Sequence, residues 1–134
     1  MPTRIFLVED NPVIRDNLIG SISELTASEV VATAQGEDEA VRWMASHLAG
    51  WDVAVVDLFL AQGNGLGVLE ATRDRHRNQK VVVLSNYATD DMRARCASLR
   101  ADAFFDKSNE LDLFFDYCDH RGRISRGGAP QAPR

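Results

Sequence analysis

Four short apolar runs in this chain end in polar side chains that could act together. Glu9 and Asp10 follow "IFLV", Asp57 follows "VAVV", Ser85 follows "VVVL", and Asp106 with Lys107 follows "AFF". Carboxylates held within a few ångströms of one another repel, and a hard divalent cation relieves that repulsion. Mg²⁺ suits such a set, because it takes a few carboxylates, keeps some of its waters and binds phosphate oxygens. A lysine supplies a point charge for one phosphoryl oxygen, and a serine hydroxyl donates to another. An Asp carboxylate can attack phosphorus to give an aspartyl phosphate. Nearby cations then offset the charge that would keep one anion away from another. Asp57 is the candidate nucleophile: it lies inside the apolar stretch Val53 to Leu60, where an unpaired carboxylate is costly.

For these residues to meet, the elements carrying them must share one end of one sheet. The β-rich runs are "IFLV" (5–8), "VVATA" (30–34), "VAVV" (53–56), "VVVL" (81–84) and "AFF" (103–105). Between them, apolar residues recur at helical spacing. Ile14, Leu18, Ile22 and Leu25 form the first stripe, and Ala40, Met44 and Leu48 the second. Leu66 and Leu69 start a third, which turns polar in "RDRHRNQK". Met92, Cys96 and Leu99 mark the fourth; Leu111, Phe114 or Phe115, and Cys118 mark the fifth. Asn11-Pro12 reads as an N-cap with Pro at the first helical position, and Thr89 and Ser108 as caps of later helices.

Five strand–helix units predict a (βα)5 doubly wound α/β domain, a parallel sheet with helices on both faces. In a flavodoxin-like strand order, 2-1-3-4-5, ligands bind at the carboxyl ends of the strands, where the order reverses between strands 1 and 3. Taken singly, Asp10 could help cap a helix, Ser85 could open a loop and Lys107 could be a solvated charge. Together they fall at one end of one sheet.

The sequence resembles the receiver domain of bacterial two-component response regulators over roughly residues 3–120. The motifs that carry the likeness are "LVED" (7–10), "VVDLFLAQGNGLGVL" (55–69), "VVLSNYA" (82–88) and "AFFDKS" (103–108). The resemblance implies that Asp57 accepts a phosphoryl group from a phosphohistidine on a sensor histidine kinase or histidine phosphotransfer protein. It implies Mg²⁺ bound by Asp10, Asp57 and the backbone carbonyl of Phe59, with Glu9 acting mostly through a metal-bound water. Ser85 and Lys107 would hold phosphoryl oxygens, Ser85 and Phe104 would form the switch pair, and Gly65 is the loop glycine. The expected readout face is the fourth helix, fifth strand and fifth helix; the apolar pair Leu113 and Tyr117 on the fifth helix reads as part of a broad buried stripe, although an exposed pair would suit a dimer or partner contact. Such a protein is a phosphoacceptor, catalysing only its own phosphorylation and dephosphorylation.

The chain also departs from the family pattern. Leu60 and Ala61 stand where Met-Pro is frequent, and Ser108 follows the lysine where Pro in a cis peptide is common. Cis is rare outside X-Pro bonds, so a trans Lys107–Ser108 bond is expected. Phe59 and Tyr87 are bulky where many relatives carry polar groups.

Rival readings are weaker. An aspartate-nucleophile phosphohydrolase typically has a second Asp two residues past the nucleophile, which here is Phe59. A flavodoxin-like cofactor binder needs a phosphate loop after strand 1, and "EDNP" would repel a phosphate without a metal. A receiver-like interaction module that is not phosphorylated is the main alternative, and the intact acid set argues against it.

Composition agrees with one domain. The 134 residues are 45% hydrophobic and 26% charged, enough for a core and too apolar for disorder. Residues 121–134 hold four arginines and no acid, whereas the first 120 hold 11 basic and 20 acidic side chains, a net of −9. The acidic domain is unsuited to direct nucleic-acid binding. The Gly- and Pro-containing tail from 121 reads as disordered. With no signal-peptide pattern, no spanning run and two scattered cysteines, Cys96 and Cys118, a cytoplasmic protein is expected. No output domain is recognisable after the fifth helix, so signalling is expected to pass to a separate protein partner, in a stand-alone receiver, or to an output domain of a longer regulator.

Overall fold

A computed structural model describes residues 2–127, with side chains as far as Asp119. Strands and helices alternate: β1 (Thr3–Val8), α1 (Pro12–Leu25), β2 (Ser28–Ala34), α2 (Glu37–Ser46), β3 (Val53–Val56), α3 (Gly65–Ala71), β4 (Lys80–Ser85), α4 (Asp90–Ser98), β5 (Ala103–Asp106) and α5 (Leu111–Gly127). All pairings are parallel and the order is β2-β1-β3-β4-β5. This is the flavodoxin-like arrangement expected from the sequence.

The alternation of each strand divides its side chains between two cores. Phe6, Val8, Ala54, Val56, Val81 and Val83 pack with Ala40, Met44, Val68, Leu69 and Cys96, so α2, α3 and α4 cover that face. Ile5, Leu7, Val53, Val55, Val82 and Leu84 pack with Leu18, Ile22, Phe114 and Cys118, so α1 and α5 cover the other. Helix starts follow the sequence signals at two of the three expected caps. The Asn11 side chain accepts from the N–H groups of Val13 and Ile14 with Pro12 opening α1, and Thr89 Oγ1 accepts from Met92 N–H.

Four expectations need correction. Leu25 is 60% exposed at the last position of α1, where the helix has turned its stripe past the sheet; it forgoes the ~1.5–3 kcal/mol of a fully buried leucine. Leu48 is 76% exposed, because α2 stops at Ser46 before a further turn can bring it onto the core. Ser108 does not cap α5, which begins at Leu111; its N–H instead bonds Asp106 Oδ1, and its hydroxyl donates to Asn86. Leu113 and Tyr117 do not both join the buried stripe: Tyr117 packs edge-on against Phe105, but Leu113 is 53% exposed. Helix α5 also runs to Gly127, seven residues past the expected domain end, and the remainder of the expected tail lies outside the described residues.

Candidate functional site

Glu9, Asp10 and Asp57 meet beyond the carboxyl ends of β1 and β3, the two strands on either side of the reversal in strand order. The ladders continue just far enough to place them. Glu9 N–H donates to Ala34 O at 3.0 Å, and Asp57 N–H donates to Val8 O at 3.1 Å. One carboxylate oxygen from each of the three acids lies within 4.8 Å of the others, close enough for a single divalent ion. Glu9 is 2% exposed and Asp57 8%, so neither carboxylate can lean on bulk water.

Lys107 supplies the compensation. Its ammonium donates to Glu9 Oε1 at 2.6 Å and to Asp57 Oδ2 at 3.0 Å. The position is set by the backbone, since Lys107 N–H donates to Ser85 O and extends β5 alongside β4. Asp57 therefore has a partner despite its apolar setting. Burial pushes the Glu9 carboxyl above its ordinary pKa, more strongly than the Lys107 hydrogen bond pulls it down. At Lys107 burial works to lower the pKa, but hydrogen bonds and charges from Glu9 and Asp57 outweigh it and raise the value. Both shifts mean that the crevice holds protons more firmly than water does. The carboxylates are in excess, which is the condition a bound cation would relieve.

Ser85 ends β4 with no exposure; its Oγ accepts the Tyr87 N–H at 3.1 Å. Among the described residues its hydroxyl hydrogen has no acceptor, so a buried donor remains unused. Phe104 lies half-buried on β5 with the Arg93 guanidinium 4.9 Å above its ring. Arg93 also donates to Phe104 O and to Glu110 Oε1, linking α4 to the segment after β5. Asp106 does not join the acids. Its carboxylate accepts from Ser108 N–H and Asn109, shaping the turn into α5.

The loop after β3 is held closely. Gly65 N–H donates to Leu58 O, and a Cβ at residue 65 would lie 2.3 Å from Asp57 O. Only glycine permits that approach of α3 to the backbone of the candidate nucleophile. The Lys107–Ser108 bond is trans, as expected, since none of the described peptide bonds is cis. The two bulky departures also meet: Phe59 and Tyr87, from loops after adjacent strands, lie edge-to-face with centroids 4.9 Å apart. Two exposed aromatics, each two residues beyond a candidate site residue, were the available signal.

Fold and site together define the class of protein. The chain matches the family model described as "Response regulator receiver domain" over residues 5–118, and it belongs to that family. Among curated proteins it is 30% identical over 88 residues to the DNA-binding transcriptional activator DevR/DosR of Mycobacterium tuberculosis. That alignment covers 66% of this chain but 40% of the relative, so the chain spans under half of that protein. Among solved structures it is similar to the phosphorylated cyanobacterial phytochrome response regulator RcpA. The TM-score is 0.71 and the identity 25%, over 97% of this chain and 98% of that one. A LuxR-family DNA-binding response regulator from Staphylococcus aureus shares the fold with a TM-score of 0.78 at 18% identity, over 90% of this chain and 98% of that one. Among the described residues, no helix is long and apolar enough to cross a membrane.

Proposed function

We propose that this receiver accepts a phosphoryl group on Asp57 from a phosphohistidine of a sensor kinase or phosphotransfer protein, and passes the signal on by protein contact. A carboxylate oxygen of Asp57 attacks phosphorus, and the N–P bond of the donor breaks with its electron pair going to the imidazole. The carboxylates of Glu9, Asp10 and Asp57, with the backbone carbonyl of Phe59, are the groups that would hold Mg²⁺. Bound there, it would neutralise charge on the phosphoryl oxygens.

The chain's own residues do the rest. Lys107 leaves its carboxylate partners to meet a phosphoryl oxygen, with its charge already in the crevice and partly desolvated. The unused Ser85 hydroxyl donates to a second oxygen. The carrying observation is this pairing of a lysine bridging two buried acids with a buried serine donor that lacks an acceptor.

Phosphorylation adds charge and acceptors at one end of β4, and it signals by favouring one of two pre-existing arrangements. Phe104 and its Arg93 contact belong to the segment that would respond, and the α4–β5–α5 face would present the change to a partner, an output domain or a second copy. The test is intact mass after incubation with Mg²⁺ and acetyl phosphate. A phosphoryl adduct that requires Mg²⁺ and is lost in Asp57→Asn is expected. Absence of an adduct with both acetyl phosphate and phosphorylated kinases, while Mg²⁺ binds, would favour a receiver-like interaction module instead.

A further inference from the structure

The opposite pole of the molecule carries a second concentration of charge, of the other sign. Beyond the amino end of β4, the segment after α3, the start of β4 and the turn between α4 and β5 enclose a cleft of about 370 Å³. Arg73, Arg75, Arg77, Lys80 and Arg100 line it, and Asp102 is its one acid. Five of the 11 basic side chains in the first 120 residues therefore gather at one cleft of a domain whose net charge there is −9.

One arginine builds the cleft, and three arginines and a lysine are left over. The Arg75 guanidinium donates to Gln79 O, Thr72 O, Arg100 O and Asp102 Oδ2, and its side chain is 9% exposed. That fan of bonds ties the loop after α3 to the turn after α4. The Asp102 Oδ2 that Arg75 meets also accepts the Val81 N–H at 2.8 Å. Nearby Asp74 lines the neighbouring clefts and not this one. Arg73, Arg77, Lys80 and Arg100 have no ion-pair partner among the described residues.

Arg100 adds an independent oddity. It sits just past α4 with φ of +69°, and it and Ala101 return N–H bonds to Ala97 O and Cys96 O. Glycine is the favoured residue at this left-handed helix stop, so an arginine there is held against local preference. The chain places a cation where glycine would fold more readily.

Clustered cations repel one another unless an anion is shared between them. Guanidinium forks match phosphate and carboxylate oxygens in a bidentate way, and the volume is that of a small-molecule site rather than a nucleic-acid groove. The acidic remainder of the domain disfavours a long polyanion lying across the surface. We propose that this cleft binds a compact anion bearing two or more linked phosphates, remote from and independent of the Asp57 crevice.

The test uses the full chain carrying Asp57→Asn, with EDTA present and at low ionic strength, titrated calorimetrically with inorganic tripolyphosphate. Saturable 1:1 binding is expected, weakened at least tenfold by Arg73→Gln with Arg77→Gln and, separately, by Arg100→Gly. The Arg100→Gly variant removes the charge while relieving the backbone, so its loss of binding is not a loss of folding. Binding unchanged in both variants places the anion on Lys107 or the tail arginines and overturns the proposal. A single-stranded oligonucleotide binding where tripolyphosphate does not, with the same sensitivity to the variants, overturns it in favour of nucleic acid. Acetyl phosphate labelling of the same cleft variants with Asp57 restored is expected to stay at the wild-type level, so failure here and failure of the phosphoacceptor reading remain separate results.

Discussion

Substituting Gly65 by alanine tests whether the close approach of α3 to Asp57 matters. The new Cβ would lie 2.3 Å from Asp57 O, 2.9 Å from Leu58 Cα and 3.0 Å from Asp57 C, where ordinary contacts begin at 3.4 Å. All three obstacles are backbone atoms of a buried segment, so none can rotate away. The start of α3 must retreat by roughly 1 Å, a strain that for overpacked interiors costs about 1–3 kcal/mol. The Gly65 N–H bond to Leu58 O, 2.9 Å long, is stretched or lost in the process, adding about 1 kcal/mol. A total of about 3 kcal/mol lowers the melting temperature of a domain this size by about 12 °C. Gly20→Ala is the matched control. Gly20 lies exposed within α1 with nothing within 4 Å of its would-be Cβ, so alanine there should stabilise by about 0.5–1 kcal/mol. Circular-dichroism melts of both variants give the comparison. At a temperature where all are folded, Gly65→Ala should also slow acetyl phosphate labelling, because a 1 Å misplacement can cost up to about 100-fold. A Gly65→Ala melt within 2 °C or so of wild type, or one that moves in the same direction as Gly20→Ala, refutes the reasoning.

Two further outcomes are expected. The Phe59–Tyr87 ring pair should hinder in-line attack of water on the acyl phosphate, so Phe59→Asn with Tyr87→Glu should shorten its lifetime several-fold; equal dephosphorylation rates would show that the rings merely lie on the surface. Cys118 lies with no exposure, and burial pushes its thiol up to about 12, with Asp119 adding to the shift. A folded pKa above the unfolded one stabilises the protein below pH 9 and loses that contribution as pH climbs from 9 toward 12. The thiol should therefore resist iodoacetamide at pH 8.5 until urea unfolds the chain, and Cys118→Ala should flatten the fall in melting temperature between pH 9 and 11.

Strand positions were legible because the runs are short and apolar, with valine prominent in those of β2, β3 and β4, and the central strands of a parallel sheet covered on both faces need such runs. Asp57 stood out for the same reason, as one acid in a stretch whose neighbours Val55, Val56 and Leu58 are all buried. Helix ends were less legible. Leu25 and Leu48 continue a helical spacing in sequence, but spacing does not record where a helix stops or turns away from the sheet. Ser108 has a capping side chain, and the Asp106 carboxylate claims its N–H before the helix begins. The bridging geometry of Lys107 and the meeting of Phe59 with Tyr87 depend on distances between strands, which no one-dimensional pattern contains.

The loops on the two sides of the crevice are fastened unequally. The loop after β3 is bolted to α2: Glu37 Oε1 accepts from Asn64 N–H, Gln62 O accepts from Glu37 N–H, and the Gln62 side chain accepts from Asp38 N–H. An isolated bridge between Phe59 and Asn64 closes the same loop on itself. The loop after β4 has a lighter tie across to its neighbour, the exposed Ser108–Asn86 hydrogen bond. The site thus resembles a vice with one fixed jaw and one sliding jaw. On the proposed phosphorylation of Asp57, displacement is expected toward β4, α4 and the segment that Arg93 connects, because the loop toward α2 has less slack.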